Sequence, residues 1–203
     1  MSLHDSRATA DLLAAVEQGN GSAVNQLLAL HRSYLKRVVD VRLEPCLRGR
    51  IDPSDVVQET LVVASRRIKD FLARRPTSFR LWLRRKALER LVDERRFHHR
   101  QKRDVANEVL ISDVSSMAIA RGLLGDNAGR RTMRHELANQ VRAAMDRLSA
   151  TDREILLLRH AEELTNAEAA ELLEIDPKAA SARYGRSVLR LSAELRKCGI
   201  RND

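Results

Sequence analysis

The chain has 203 residues, 43% of them hydrophobic and only 3% aromatic, a length that suits one large domain or two small ones. Lys and Arg total 37 against 28 Asp and Glu, a formal net charge of +9, which favours a polyanionic partner such as nucleic acid or an acidic membrane surface. Two cysteines (Cys46 and Cys198), no long apolar run, and an N-terminus without a basic-then-apolar pattern exclude a disulfide scaffold, a four-Cys zinc site, a membrane span and a secretory signal. A cytoplasmic protein is the expectation.

In chain order, Thr9 reads as the cap of a short helix from Ala10 to Gln18, stopped by Gly19. Ser22 caps the next, where Val24, Leu27, Leu28, Leu35, Val38 and Val39 recur at helical spacing. Asp52 caps a third helix with Pro53 at its first position, and its apolar positions are Val56, Val57, Leu61, Ala64, Ile68 and Leu72. Arg74 to Ser78 reads as a loop. A fourth helix runs from Phe79 to about Arg103 with Trp82, Leu83, Ala87, Leu91 and Val92 as an inward stripe.

From Asp104 to Arg131 the periodicity fades, and Gly122, Gly125 and Gly129 mark a linker. Its apolar residues Ile111, Val114, Met117, Ile119, Leu123 and Leu124 imply either a short helix or docking on a partner. Helical signals resume at Thr132, with Met133, Leu137, Val141, Ala144, Met145 and Leu148 on one stripe. Thr151 with Glu154, and Thr165 with Glu168, have capping-box spacing. Asp176 caps a last helix that starts at Pro177 and ends near Cys198. No segment alternates as a strand would. The expected fold is all-α: an N-terminal helical domain over 1–103, a linker over 104–131, and a C-terminal domain over 132–203.

Charge is concentrated. Arg66 to Arg103 holds 15 Lys/Arg and 4 Asp/Glu, whereas the rest of the chain is net acidic by two. A charge run is ordinarily a solvated helix face, but acids for i,i+4 pairing are scarce here, which favours an anionic partner. Phe71, Phe79, Trp82 and Phe97, four of the six aromatics, fall in this segment and offer stacking faces for bases. For Trp82 core packing is the stronger reading, and Phe97 belongs on the surface beside His98 and His99.

Thr165 to Arg190 has the layout of a helix-turn-helix, with Ala169 and Ala170 inward, Ile175 at the corner, and Lys178, Arg183, Arg186 and Arg190 outward on the second helix. A plain helical hairpin would show much of the same pattern. At the other end, Asp52 and Asp55 suit a helix N-terminus, whose dipole favours acids, but Glu59 lies beyond that reach. A metal site would need a second carboxylate cluster, and none is evident; a protein-docking face of Asp55, Gln58 and Glu59 remains. No nucleophile–base pair, phosphate-binding glycine loop or H-E-x-x-H occurs, so no enzyme, cofactor or metal is expected.

Three blocks carry a family resemblance. Asp52–Leu61 resembles the D-x-E-D-x-x-Q-E-x-F/L stretch of bacterial sigma factors of the extracytoplasmic-function group, within the sigma-70 family. Phe79–Leu83 with Asp93–Arg96 resembles that group's F-x-x-W-L and D-x-x-R-R stretches. Leu148–Arg159 with Thr165–Leu173 looks like the start of its DNA-binding domain.

The resemblance implies a factor that binds core RNA polymerase and directs promoter recognition, DNA melting and initiation. It implies docking of Asp55, Val56, Gln58 and Glu59 on the β′ clamp helices, and contact with the β subunit flap. It implies recognition of the −10 element by the loop Phe71–Ser78 and by Arg80, Trp82, Arg84, Arg85 and Arg95. The −35 element would be read by Lys178, Ser181, Arg183, Tyr184 and Arg186. The linker would thread toward the RNA exit channel, and an anti-sigma factor is a further partner to consider, with no membrane partner.

The chain departs from the pattern at Ser181, where relatives often carry lysine, at Glu89, where they often carry Asn, and at Gly185, which weakens a helix by roughly 1 kcal/mol against Ala. The main alternative is a helix-turn-helix regulator acting without polymerase, marked by tight operator binding of the chain alone. Lesser ones are a helical RNA-binding protein and a helical enzyme.

Overall fold

The computed structural model describes residues 6–43, 47, 49–100, 116, 118–120 and 131–198, with side chains of 98–100 and 131–135 left aside. Among the described residues every regular element is helical and no strand occurs. Contacts divide the chain into two compact units, 1–110 and 111–203, which are described separately.

In the first unit, α1 spans Arg7–Glu17, α2 Gly21–Arg42, α3 Pro53–Arg74 and α4 Phe79–Arg100. Caps set these boundaries. Asp52 accepts from the Ser54 N–H at 2.7 Å with Pro53 just inside α3, as the sequence leads one to expect. The first two caps lie elsewhere than expected. Ser6, not Thr9, caps α1 and accepts from the Thr9 N–H; Asn20, not Ser22, caps α2 and accepts from the Ser22 N–H at 3.1 Å. In both cases an acceptor two or three residues upstream in extended backbone takes the position, which draws the expected cap into the first turn. Gly19 closes α1 in the left-handed region at φ 83, where a side chain would be strained. Arg75 ends α3 at φ 37, and its guanidinium pairs with Glu17 at 2.6 Å.

Helix α2 packs against α1, α3 and α4. Leu27, Leu35, Val39, Val57, Ala64, Phe79, Leu83 and Ala87 are all buried in the shared core. Each large aliphatic among them stabilises the unit by about 1.5–3 kcal/mol over leaving it in water. Three aromatics close the end of this core, with ring centroids 5.2 Å apart for Phe71–Phe79, 4.9 Å for Phe71–Trp82 and 5.5 Å for Phe79–Trp82.

His31 stands edge-on to Phe79 and shares a hydrogen bond with the Thr9 hydroxyl at 3.1 Å. Burial, helped by the charge of Arg80, pushes its pKa down from 6.5 to about 4. The unfolded chain therefore binds a proton that the folded chain refuses between about pH 6.5 and 4, and stability falls as the pH drops through that window. The expected loss is on the order of 3 kcal/mol. Denaturant titrations at pH 7 and pH 4 on the wild type and His31→Gln measure it: the pH-dependent loss should be smaller in the variant, and equal losses would remove His31 as the cause.

In the second unit, α5 spans Arg131–Asp146, α6 Ala150–Leu156, α7 Asn166–Leu172 and α8 Pro177–Lys197. A π-helical turn, Leu157–Ala161, extends α6, with the Glu162 N–H reaching back to the Leu157 carbonyl at 2.9 Å. In place of the expected capping box at Thr151 and Glu154, the cap is Ser149, two residues earlier. Ser149 accepts from the Asp152 N–H, and Asp152 accepts from the Ser149 hydroxyl at 2.7 Å. Arg153 donates to the carbonyls of Met145 and Asp146, so the end of α5 is capped by the start of α6. Val141, Ala144, Met145 and Leu148 are buried, as their spacing predicts, and Leu137 is half-buried; the Met133 side chain lies outside the described residues. Of the segment 104–130, residues 116 and 118–120 are helical, with Ile119 and Ala120 buried. The other residues of that segment, including its glycines, lie outside the described residues.

Candidate functional site

The last two helices form a helix-turn-helix from local chemistry. Thr165 and Glu168 make a reciprocal capping box at the start of α7. Glu174 adopts φ 52, and the Ile175 N–H bonds back to the Ala170 carbonyl at 3.1 Å, closing α7 with a Schellman-type turn. Asp176 then accepts from the Lys178 N–H at 2.7 Å and starts α8 on Pro177. Asn166 donates to the Pro177 carbonyl at 2.7 Å, which ties the beginning of one helix to the beginning of the next. Ala169, Ala170 and Ala180 are buried, and their small size lets the two backbones approach.

On α8, Lys178, Ser181 and Arg186 are exposed, and Arg183 and Tyr184 are half-exposed. Tyr184 is held from behind: its hydroxyl shares a hydrogen bond with His160 Nε2 at 2.9 Å, and the Arg159 guanidinium lies 5.3 Å over its ring. Burial and then the Arg159 charge lower the His160 pKa below 6.5, which keeps the ring neutral at pH 7. Arg190 is exposed, as expected, and is also paired with Asp152 at 2.6 Å. Asp152 is nearly buried and also accepts from the Ser187 hydroxyl at 2.7 Å. This network was not foreseen from sequence. The one signal available was a pair of polar residues three apart on each of two otherwise apolar stripes, Ser149 with Asp152 and Ser187 with Arg190.

At the head of α3, Asp55, Gln58 and Glu59 are exposed. Val56, expected on the same face, is 2% exposed and belongs to the core; it lies one residue round the helix from Asp55. Gln58 accepts from Arg32 of α2, and the Glu59 carboxylate lies against the Arg90 guanidinium of α4. Val62, 40% exposed, continues this face one turn on from Gln58 and Glu59, and was missed because an apolar residue in an amphipathic helix reads as core.

The basic segment is less open than its composition suggests. Arg85 is exposed, whereas Arg80 is half-exposed with its guanidinium 4.1 Å from the centroid of the Tyr34 ring, and Arg95 is half-exposed. Arg84 is buried, and Trp82 is 5% exposed within the aromatic cluster, so neither presents a face to a ligand in this structure. Phe71 and Phe79 are buried with it, and Phe97 alone of the four aromatics is exposed, at 61%. The few acids are used locally: Glu89 pairs with Lys86 at 2.6 Å, Glu94 with Arg90, and Asp93 approaches Arg96. The side chains of His98 and His99 lie outside the described residues. Among the described residues no group of His, Cys, Asp or Glu is placed to hold a metal, and no helix is long and apolar enough to cross a membrane.

An all-helical chain whose last two helices form an exposed, cation-bearing helix-turn-helix defines a DNA-binding protein class. The family described as Sigma-70, region 4, matches residues 138–191, which include all of α6, α7 and most of α8. The RNA polymerase sigma factor CnrH of Cupriavidus metallidurans (strain CH34) is 32% identical over 187 residues, 91% of this chain and 92% of that protein. A solved structure of CnrH in complex with the cytosolic domain of CnrY is similar with a TM-score of 0.54 and 28% identity, covering 94% of this chain and 99% of that one. The chain belongs to the extracytoplasmic-function group of the sigma-70 family. It is a sigma factor: it binds core RNA polymerase and directs promoter recognition and transcription initiation.

Proposed function

We propose that the two halves of the chain divide the promoter between them. Residues 1–103 dock on polymerase and take the −10 element, 132–203 read the −35 element, and 104–131 connect them. The observation that carries this reading is the exposed array of Lys178, Ser181 and Arg186 on the second helix of a helix-turn-helix. The docking face on the β′ clamp helices is Asp55, Gln58 and Glu59, extended by Val62 and without Val56. On the DNA side, the −10 element is met by Arg85, with Arg80 and the loop 75–78 at the start of α4 and Arg95 further along it. Each half alone makes few contacts, so the isolated chain binds DNA weakly. Polymerase holds both on one duplex and raises the effective concentration of each for its site.

The protein acts in the cytoplasm, where its polymerase is, carries no catalysis of its own, and steers the chemistry of the larger enzyme. CnrH is solved with a cytosolic domain of CnrY. A partner of that kind, an anti-sigma factor covering the polymerase-facing surface, is proposed for this chain as well.

Asp55→Arg and Glu59→Arg test the docking face. Each should reduce capture of core polymerase at least tenfold and abolish promoter-directed transcription in vitro. Thermal unfolding should move little, because an exposed pair such as Glu59–Arg90 contributes about 0–1 kcal/mol. Unaltered polymerase capture by both variants would refute the docking face. A large drop in melting temperature for Glu59→Arg would make its pairing with Arg90 structural instead.

A further inference from the structure

Gly185 is a residue the chain's own fold does not require. It lies in the interior of α8 at an exposed position. Its φ is not positive, and among the described residues a Cβ added there would meet nothing within 4 Å. Alanine would fit without strain and would strengthen the helix, because glycine gives up more backbone freedom on folding than any other residue. Among the described residues nothing repays that cost. What a missing Cβ supplies at an exposed site is room for a body outside the chain.

The neighbours indicate which body. Ser181 lies one turn before Gly185 and Arg186 directly after it, both exposed, with exposed Lys178 a further turn back. Gly185 is the ninth residue of α8, about 12 Å along the axis from the first at 1.5 Å per residue. The major groove is about 12 Å wide, so a helix seated in it still presents this position to the duplex. Ser181 is short. Its hydroxyl meets a base edge only if the helix axis lies closer to the base pairs than an axis carrying lysine or arginine at that position needs to be. A glycine one turn along the same face permits that approach.

We propose that Gly185 is a close-approach position, at which the bare backbone of α8 packs on duplex DNA and sets the depth at which Ser181 meets a base edge. The inference rests on the assignment of α8 as the reading helix, and the controls separate the two. The probe is the duplex most enriched by the wild-type chain, assembled with core polymerase, from a random-sequence library. Gly185→Ala should raise the melting temperature of the free chain by a few degrees and weaken binding of that duplex by the holoenzyme at least fivefold. Ser181→Ala should relax base preference at one position in the wild-type background and change little in the Gly185→Ala background, where the helix is held back. Arg186→Ala reports on the reading helix itself.

If Arg186→Ala weakens binding while Gly185→Ala does not, the close approach is wrong and the reading helix stands. If neither weakens binding, the reading helix falls and the close approach with it. A lower melting temperature for Gly185→Ala would show that the fold uses the glycine, and would overturn the inference. Equal effects of Ser181→Ala in the two backgrounds would do the same.

Discussion

Trp82→Ala should unfold the first unit rather than merely disarm it. The indole is 5% exposed and packs at a tilt against both Phe71 and Phe79, whose centroids lie 4.9 and 5.5 Å away. Removing a buried aromatic side chain leaves a cavity that the surrounding helices fill only in part, at a cost of about 3–5 kcal/mol. That is a large share of the stability of a unit this size. Chemical denaturation should show the loss, with Trp82→Phe retaining most of it and Phe97→Ala, at 61% exposure, costing little. Trp82 is the sole tryptophan, so its emission reports directly on its surroundings. A blue-shifted maximum that does not respond to single-stranded promoter DNA is expected. A stable, folded Trp82→Ala chain that fails only in DNA melting would return the residue to the nucleic-acid interface.

The inward stripe of α4 was legible at Trp82, Leu83, Ala87 and Leu91, because a helix buries positions three and four apart. It failed at Val92, which is 43% exposed, and at Arg84, which is buried. A long alkyl stem can lie along apolar surface while its head finds polar company, so type alone does not place an arginine. Helix starts were legible where one acceptor stood alone before a proline or an acid, as at Asp52, Asp176 and Thr165. They were misplaced where hydroxyls and amides crowd together. At Ser6 and Thr9, or Ser149 and Thr151, the choice is made by which residue adopts extended backbone, and composition does not decide that.

Long-range pairing was the least legible part. The blocks that carry the family resemblance could be found because each is local. The ion pair of the exposed Arg190 could not be foreseen without knowing that Asp152, 38 residues away, lies beside it. Glu59 likewise meets Arg90 across a helix boundary. The π-helical turn Leu157–Ala161 reads as ordinary helix in sequence, although it positions His160 against Tyr184.

Asp152→Ala should loosen the reading helix from its unit. The carboxylate is nearly buried near the start of α6 and accepts from Ser149 on its own helix start and from Ser187 and Arg190 on α8, at 2.6–2.7 Å. Desolvation alone would raise its pKa. The hydrogen bonds from Ser187, Ser149 and Arg190, with the Arg190 charge, outweigh that and hold it below the ordinary 3.8. Alanine leaves the buried Ser187 hydroxyl without this acceptor, although its bond to the Arg183 carbonyl at 2.9 Å remains. Arg190, 59% exposed in its side chain, returns to water at little cost. The expected loss is therefore about 2–4 kcal/mol, below that of a fully buried ion pair broken on one side. Arg190→Ala leaves the buried carboxylate with its two hydroxyl partners but without a neutralising charge, and should cost about 1–3 kcal/mol.

The pH dependence has a definite sign. With the native pKa depressed, Asp152 contributes fully above its unfolded value and loses that contribution as the pH falls through the native one. Denaturant titrations of the wild type and Asp152→Ala should therefore differ most near neutrality and converge in strong acid. Holoenzyme binding to promoter DNA should fail in the variant at temperatures where the first unit is still folded. An Asp152→Ala chain as stable as the wild type, with unimpaired promoter binding, would show that α8 is held by its apolar contacts alone, at Leu191 and Leu195.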